Sequence, residues 1–448
     1  MDWIVQWNNK LNGLVWGPVM LLLLLGFGIY LTVRTGFFQL THFGTMWKKT
    51  IGALGKPRQF KEDGISPFQA VSTALAGTLG TGNIVGVATA IVAGGPGAVF
   101  WMWVSALFGM MTKYGEVLLA VYYRSKQGGI LCGGPMYYME KGIHSKLLAR
   151  IFCVFCALAS FGIGSMVQSN SASEALKSGF GVSPWVTGFV FVLVSAFVIL
   201  GGVKRIGAMT EKIVPFMAVC YTLFAIIALF CNWNRIDDAF RLIFTSAFCS
   251  RSIVAGGAGY AVSQAIRYGI SRGVFSNEAG LGSAPIAHAA ADTNSPVEQG
   301  FWGMFEVFFD TIVMCTLTAL VILTSDAYCS QVQSTSLTLY AFSQTIGKFS
   351  EQFIAVAMAF FAFASIIGWA YYGEKSVEYL LGNRFVKGYR TLYVLSTGVG
   401  AVCSVHLVWE ISDTLNGLMA IPNLIALLLL SPKIIEVTQK YKINGKCS

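Results

Sequence analysis

The chain has 448 residues, of which 55% are hydrophobic and only 12% are charged, and its mean hydropathy is +0.64. Soluble domains carry about 25% charged residues, so this composition excludes an ordinary soluble domain and predicts a polytopic, all-α membrane protein. The net charge of +10 does not require a nucleic-acid partner, because the Lys and Arg residues of membrane proteins concentrate in cytoplasmic loops.

A helix needs about 20 predominantly apolar residues to cross a bilayer, and eleven stretches of the chain are candidates. The first is too long for a signal-peptide core and lacks a clear A-x-A cleavage site, so we expect it to remain as a span. In chain order the candidates are Leu14–Val33, Pro67–Ile91, Gly97–Tyr123, Leu147–Leu176, Pro184–Gly201, Ile213–Cys231, a Gly-rich segment ending near Ala291, Gln299–Thr324, Phe353–Leu381, Thr391–Val405 and Trp409–Leu430.

Basic residues follow alternate spans, which predicts an N-terminus outside and a C-terminus in the cytoplasm. The groups after the first, third, fifth, ninth and last spans include Lys48, Lys49, Lys56, Arg58, Lys61, Arg124, Lys126, Lys204, Arg205, Arg384, Arg390, Lys433 and Lys440. Two connections depart from the rule. The one with Asp292 and Glu298 has no basic residue, and the predicted outer region from Asn232 to Arg272 has five: Arg235, Arg241, Arg251, Arg267 and Arg272. That region is long enough to contain re-entrant or surface helices.

The second span contains the sequence AGTLGTGN, from Ala76 to Asn83, where a membrane helix would normally have large apolar residues. Glycine costs about 1 kcal/mol in a helix interior, and each backbone group freed in hydrocarbon needs a partner. Broken helices therefore occur where they line a buried cavity, and their free amides and carbonyls become ligand sites. Small residues also permit close helix packing, but the interleaved Thr78, Thr81 and Asn83 favour a binding site.

A second interrupted segment runs from Ala255 to Ala291 and contains GGAG at Gly256 and GVFSNEAGLGSAP from Gly273. Without the first span, ten spans remain, and the two interrupted segments are the first of each set of five. This arrangement predicts an inverted five-plus-five repeat. The predicted divisions are residues 1–63 with an extra N-terminal span and a basic loop, 64–231 and 232–432 for the two repeats, and a cytoplasmic tail at 433–448.

The first break offers two kinds of ligand. The half-helix that begins near Gly82 has free amide donors, which attract an anion such as a carboxylate. The carbonyls around Ala76 and Leu79 suit a hard monovalent cation such as Na⁺, and a hydroxyl from another helix would complete its shell. Ser365 could supply it, although a lone Ser in a membrane helix often bonds to its own backbone.

Two further polar or aromatic residues lie deep in predicted spans. Gln168 needs a partner at that depth, which could be a ligand or another helix. Trp369 is four residues from Ser365, on the same helix face, and either packs or limits the size of a pocket.

Four acidic residues, Glu116, Glu278, Glu306 and Asp310, lie in or beside apolar runs. Intramembrane acids are functional by default. Glu306 and Asp310 are four residues apart and could form a cation site, or they could pair with Arg267, Arg272 or Lys113. For Glu116 we favour structural pairing, and the role of Glu278 stays open.

No enzyme motif accompanies these residues. The sequence has no G-x-S-x-G, no H-E-x-x-H and no P-loop, which argues against a hydrolase or an ATP-driven pump. The four histidines are dispersed, and the pair Cys153 and Cys156 has no second pair to complete a metal site. We therefore expect no cofactor and read the cysteine pair as helix packing.

Several ordered motifs resemble the alanine or glycine:cation symporter family. They lie at Gly80–Ile84, Gly86–Ala90, Gly94–Trp103, Gly133–Tyr138 and Gly273–Gly280, and the similarity extends from about Gly64 to Leu430. The resemblance implies an eleven-helix protein with a LeuT-like five-plus-five inverted repeat. It also implies secondary active import of small neutral amino acids, alanine or glycine, together with Na⁺ by alternating access.

The resemblance also implies a distribution of roles. The substrate carboxylate is expected at Thr78, Gly80, Thr81 and Gly82. The substrate amino group is expected to face Gln168 and the second break, and Trp369 to limit side-chain size; the residues of that break are Phe275, Ser276 and Asn277. The Na⁺ positions Ala76, Leu79 and Ser365 are carried over from the fold more than from a motif. Alternatives are a proton-coupled transporter and a passive channel or facilitator. We expect a monomer in the lipid bilayer of a bacterial or archaeal cell (inner) membrane.

Overall fold

The computed structural model describes residues 2–54, 65–127, 130–248, 257–330, 332, 335–403 and 406–446, and the chain is helical through most of them. Several residues named above lie outside this part of the chain: Lys56, Arg58, Lys61, Arg251, Ala255 and Gly256. The helices are numbered α1 to α21 in chain order. One antiparallel hairpin, β1 (Ser125–Gln127) and β2 (Ile130–Cys132), pairs Lys126 with Leu131.

The N-terminal region contains a helix that the hydropathy pattern did not predict. A polar, amphipathic helix precedes the expected first span, and Pro18 then starts the span itself at a position where its missing N–H is not needed. Two short helices follow. The bounds are α1 Asp2–Val15, α2 Pro18–Arg34, α3 Phe38–Thr41 and α4 Phe43–Lys49.

The next part of the chain contains the first interrupted span and four further predicted spans. A π-helical turn at Ser160–Met166 joins two α-helices into one long segment. The helices are α5 Pro67–Thr78, α6 Val85–Gly94, α7 Ala98–Tyr122, α8 Pro135–Gly142, α9 Lys146–Ala159, α10 Val167–Phe180, α11 Pro184–Ile199 and α12 Gly202–Cys231.

The remainder contains the second interrupted segment, another π-helical turn at Phe308–Cys315, and the helix expected in the long connection. The helices are α13 Ile236–Phe248, α14 Gly257–Asn277, α15 Pro285–His288, α16 Pro296–Val307, α17 Thr316–Thr324, α18 Thr335–Ile346, α19 Phe349–Leu381, α20 Val386–Val402 and α21 His406–Lys446.

Within the described residues, seven helices are long and apolar enough to cross a membrane, and the bent pair formed by α5 and α6 makes an eighth candidate. α11, with 16 residues, is apolar but shorter. The total of eleven spans therefore stays a prediction. The lipid-facing surface is apolar, as the exposed Phe189, Phe197, Phe216 and Leu223 on α11 and α12 illustrate.

The core surrounds the two interrupted segments. α14 packs against α6 and α7, α16 packs against α7, and α19 packs against α5 and α10. Glycines permit some of these close approaches: a Cβ built at Gly300 on α16 would lie 2.6 Å from the Tyr114 ring of α7. The breaks are therefore enclosed by the long helices of both halves of the chain.

The two interrupted segments are also joined through their backbones. The amide of Ile65, just before α5, donates to the carbonyl of Ala290 at 3.1 Å, and the amide of Asp292 donates to Ile65 at 2.8 Å. Arg124 braces the same place by donating to the carbonyls of Ala291 (2.6 Å) and Thr293 (2.5 Å). This contact, the Ile65–Ala291 bridge, links the start of one broken segment to the end of the other.

Candidate functional site

The first break lies within the predicted stretch. A capping box formed by Ser66 and Gln69 starts α5. α5 ends at Thr78, a 3₁₀ turn covers Thr81–Asn83, and α6 leaves at 55° to α5. The Gly80 amide donates to the Thr78 carbonyl at 2.9 Å rather than to the carbonyl of Ala76, four residues earlier. The Ala76 carbonyl therefore lacks the partner that a continuous helix would give it.

The second break is also confirmed. α14 ends at Asn277, and left-handed backbone follows at Glu278 (φ 55°), Gly280 (φ 93°) and Gly282 (φ 83°). Such angles cost little at glycine and are unusual elsewhere, which explains why the motif has glycines at two of these positions. The Asn277 side chain accepts from the Ala279 amide at 3.0 Å and helps to end the helix.

The two breaks meet at Gly82. A Cβ built there would lie 3.6 Å from the Ser276 Cα and 3.7 Å from the Phe275 ring. One residue later, the Asn83 amide group donates to the Ser276 hydroxyl at 3.1 Å. The structure thus brings Gly82 of the first broken segment together with Phe275 and Ser276 of the second.

Gln168 reaches the first break from the start of α10, directly after the π-helical turn. Its Oε1 accepts from both the amide (3.2 Å) and the hydroxyl (3.1 Å) of Thr81. Its Nε2 donates to the Ile163 carbonyl at 3.0 Å, a carbonyl within the π-helical turn. Of the two partners considered for Gln168, the structure shows the helix-to-helix hydrogen bond, and this bond holds the amide beside Thr81.

Ser365 supplies an unsatisfied oxygen beside the same break. Its side chain is fully buried on α19, and its hydroxyl has no hydrogen-bond partner among the described residues. A Cβ built at Gly80 would overlap that hydroxyl and lie 3.4 Å from the Ser365 Cβ. The bond to its own backbone that is common for a membrane serine is therefore not formed. A buried oxygen without a hydrogen-bond donor, beside the break at Gly80, is of the type that can bind Na⁺.

Trp369 is one turn beyond Ser365 and almost completely buried. It packs against the π-helical turn at Gly164, where a built Cβ would approach the indole to 2.7 Å, and its ring meets Tyr372 edge-on at 5.5 Å. Trp369 thus contacts the segment that positions Gln168. The hydroxyl of Thr78 makes only long contacts, at 3.4 Å, to the carbonyls of Ala74 and Leu75 within its own helix.

The four buried acids have different surroundings. Glu306 pairs with Lys113 at 3.4 Å, which was one of the alternatives for this residue, and also with His288 at 2.9 Å, which the sequence analysis did not consider. Glu116 accepts from Asn423 at 2.5 Å, and Glu278 accepts from Ser283 at 2.5 Å.

Asp310 does not share the surroundings of Glu306, because the π-helical turn begins at Phe308, between the two residues. It accepts from Asn83 at 2.7 Å, from Ser276 at 3.1 Å and from Thr311 at 2.7 Å. Sequence reasoning noted Asn83 only as part of the broken stretch and did not connect it to Asp310, which is 227 residues away.

A cavity of about 490 Å³ lies between α6 and α14. These are the parts of the two broken segments that lie away from the Ile65–Ala291 bridge. α1, α6, α14 and α21 line the cavity, and its polar residues include Arg272 and Asp413, with Nη1 and Oδ1 3.8 Å apart. Its wall includes Trp409, which stacks on Phe275 at 6.1 Å. Phe275 therefore contacts both the wall of this cavity, at Trp409, and the meeting point of the breaks, at Gly82.

Comparisons with known proteins show what the whole chain is similar to. A model of the sodium:alanine symporter family matches residues 1–447. The sodium/alanine symporter AgcS of Methanococcus maripaludis is 49% identical, covering 97% of this chain and 96% of its own length. The probable sodium/glutamine symporter GlnT of Bacillus subtilis is 39% identical, covering 97% of this chain and 90% of its own.

Among solved structures, MhsT in complex with L-phenylalanine matches 84% of this chain and 99% of its own with a TM-score of 0.58 and 13% identity. At that identity the likeness shows the fold alone. The fold is the LeuT-like one, in which two five-helix repeats are inverted relative to each other and each starts with a broken helix.

Proposed function

Because the chain belongs to the sodium:alanine symporter family, and is thereby a sodium-coupled amino-acid symporter of the membrane, we propose that it imports small neutral amino acids by alternating access. Alanine and glycine are the proposed substrates. The proposed orientation has the N-terminus outside and the C-terminus in the cytoplasm, and we propose that the protein acts as a monomer.

The observation that carries this proposal is that ion-type and substrate-type groups share one short stretch of backbone. Ser365 contacts the stretch at Gly80, and Gln168 holds it at Thr81. Na⁺ bound between Ser365 and the carbonyls of Ala76 and Leu79 would fix the shape of the break. The same shape determines the direction of the Thr81 and Gly82 amides. The amino-acid pocket is therefore complete only when the ion is bound.

The proposed substrate pose follows from the charges of an amino acid. Its carboxylate binds at the start of the second half-helix, near Gly80, Thr81 and Gly82, and replaces the Gln168 oxygen as the acceptor of the Thr81 amide; the Thr78 hydroxyl lies on the preceding turn. Its ammonium group lies towards the Gln168 carbonyl oxygen and the end of α14, at Phe275, Ser276 and Asn277. Trp369 limits the space for the substrate side chain, which favours alanine and glycine over larger residues.

The test is uptake of labelled alanine into proteoliposomes, first with an inward Na⁺ gradient and then with an equal proton gradient. We expect accumulation above equilibrium with Na⁺ only, and abolition by an ionophore that dissipates the gradient. Accumulation with the proton gradient alone would favour a proton-coupled transporter. Equilibration without accumulation under either gradient would indicate a passive facilitator and contradict the proposal.

The same vesicles test the substrate class. Unlabelled glycine and alanine should compete with the labelled substrate, and glutamine should compete weakly if Trp369 limits the pocket. Coupling must be reciprocal, so alanine should raise the affinity for Na⁺ by the same factor by which Na⁺ raises the affinity for alanine. Equal alanine affinity with and without Na⁺ would contradict the coupling.

A further inference from the structure

The cavity between α6 and α14 contains two opposite charges that do not satisfy each other. The Arg272 Nη1 and the Asp413 Oδ1 are 3.8 Å apart, which is too far for a hydrogen bond, and the two side chains are only 18% and 17% exposed. Charges with so little access to water need close partners. A ligand that contacts both groups would supply them.

Arg272 has unused hydrogen-bond donors. A guanidinium group has five N–H donors, yet Arg272 donates no hydrogen bond to the described part of the chain, and its Nε is buried without a partner. Its guanidinium carbon lies 5.4 Å from the centre of the Phe275 ring. An unsatisfied buried donor is costly, and the planar fork of an arginine matches the two oxygens of a carboxylate. Arg272 is therefore suited to bind a carboxylate.

Asp413 is held in place and keeps one oxygen for a ligand. Its Oδ2 accepts from the Asn12 side chain of α1 at 3.2 Å, and its backbone carbonyl accepts from the Trp16 indole at 3.0 Å. Its Oδ1 accepts no hydrogen bond from the described residues; Arg272, at 3.8 Å, is its charged neighbour. Asp413 therefore presents a fixed carboxylate oxygen to an ammonium group.

The charges of the cavity lining favour a ligand that carries both signs. Two arginines, Arg267 and Arg272, and two acids, Glu410 and Asp413, line the cavity, so its formal charges cancel. A single anion or cation would add a net charge to it, whereas the backbone of an amino acid adds one charge of each sign. The volume of about 490 Å³ is within the usual range of small-molecule sites, about 300–1,000 Å³.

From this geometry we propose that the cavity is a second amino-acid site, with the substrate carboxylate on Arg272 and the substrate ammonium group on Asp413. The proposal rests on the proposed function and adds a site for the same class of substrate. Phe275, which Arg272 faces, also contacts Gly82 at the first break, so the two amino-acid sites are neighbours. In the proposed orientation the cavity lies on the outer side and receives the substrate first.

The second site does not share the proposed Na⁺ ligands. None of Ala76, Leu79 and Ser365 lines the cavity, and neither does Trp369. An amino acid should therefore bind in the cavity with or without Na⁺, whereas binding at the breaks needs Na⁺. This difference makes the two sites separable by experiment.

The test is equilibrium dialysis of labelled alanine against the purified protein in detergent, with Na⁺ and with choline in place of Na⁺. Alanine is used at concentrations well above the half-saturating value for uptake. We expect wild type to bind two molecules with Na⁺ and one without it. Asp413→Asn keeps the shape of the side chain and removes its charge; it should bind one molecule with Na⁺ and none without it.

Asp326→Asn is the matched control. It makes the same substitution at an exposed residue that does not line the cavity and that pairs with Arg235. Its backbone is left-handed (φ 56°), a conformation that Asn adopts as readily as Asp. It should bind alanine as wild type does, with and without Na⁺.

Unlabelled acetate tests the class of ligand. Acetate supplies a carboxylate without an ammonium group, so at the concentration of alanine it should not displace the alanine bound without Na⁺. Displacement by acetate would mean that the cavity is a simple anion site and would overturn the proposal.

The outcomes also separate this inference from the proposed function. Wild type that accumulates alanine with Na⁺, but binds one molecule with Na⁺ and none without it, would overturn the second site alone. Two molecules bound to Asp413→Asn would do the same. Alanine binding without Na⁺ that is lost in Asp413→Asn, in a protein that shows no Na⁺-driven uptake, would support the cavity site and overturn the function. Absence of both binding and uptake would overturn the two together.

Folding of the variants is monitored by size-exclusion chromatography and thermal unfolding. If Asp413→Asn does not fold, Arg272→Gln carries the test. It removes the proposed partner of the carboxylate, and it breaks no hydrogen bond to the described part of the chain. A folded Arg272→Gln protein should lose the alanine bound without Na⁺. Binding equal to that of wild type in this variant would contradict the site.

Discussion

Replacing Gly80 by Ala tests the ion site proposed at Ser365. The backbone at Gly80 is extended (φ −125°), so the substitution causes no backbone strain. Its Cβ would overlap the Ser365 hydroxyl and lie 3.1 Å from the Gln168 Oε1. Overpacking of this kind costs about 1–3 kcal/mol. Since about 1.4 kcal/mol is tenfold in binding, we expect the half-saturating Na⁺ concentration to rise by about 5- to 150-fold.

The measurement is alanine uptake into proteoliposomes as a function of Na⁺ concentration, with thermal unfolding of the same proteins. Gly86→Ala is the matched control: it lies on the same broken span, and a Cβ built there has nothing within 4 Å. It should leave both the Na⁺ response and the unfolding temperature close to those of wild type.

The double variant Gly80→Ala, Ser365→Ala separates packing from ion binding. Removal of the hydroxyl relieves the overlap, because the Ser365 Cβ is 3.4 Å from the built Cβ. The unfolding temperature should therefore recover, whereas the Na⁺ response should not. Recovery of the wild-type Na⁺ response in the double variant would refute the role of Ser365 as an ion ligand.

Three further variants test neighbouring parts of the site. Trp369→Ala should extend transport to larger neutral amino acids, which competition by leucine would reveal; unchanged selectivity would mean that other residues limit the pocket. Gln168→Ala leaves the buried Thr81 amide without an acceptor, at a cost of about 1–3 kcal/mol, so alanine binding should weaken by about tenfold. Unchanged alanine affinity would mean that Gln168 does not position the pocket. Lys113→Met leaves the buried Glu306 without its lysine and should destabilise the protein by about 3–5 kcal/mol, which thermal unfolding measures. An unchanged Na⁺ response in this variant would confirm that the ion pair is structural.

The sequence predicted the breaks because their cause is local. Glycines and small polar residues in an apolar span have a known cost, and the structure has its breaks at Thr78–Val85 and after Asn277. It also predicted most span positions to within a few residues. The start of α12 was misplaced, because Lys204, Arg205 and Lys212 lower the hydropathy of a helix that begins at Gly202, not Ile213.

Features that depend on distant contacts were not predictable from one sequence. The π-helical turns at Ser160–Met166 and Phe308–Cys315 leave no clear sequence pattern, yet Asp310 lies within the second. α1 and α18 are too polar or too short to register as spans. The contact between Asn83 and Asp310 joins residues 227 positions apart, and neither residue alone indicates the other.

The Ile65–Ala291 bridge has a consequence for the alternating access proposed above. Its two hydrogen bonds, of 3.1 and 2.8 Å, join main-chain atoms, and each contributes about 0.5–1.5 kcal/mol net. Any motion that parts the start of α5 from the end of α15 must break both. Most side-chain substitutions leave main-chain hydrogen bonds intact. We therefore expect substitution of Ile65 or Ala291 to change little the lifetime of the state in which these two bonds are formed.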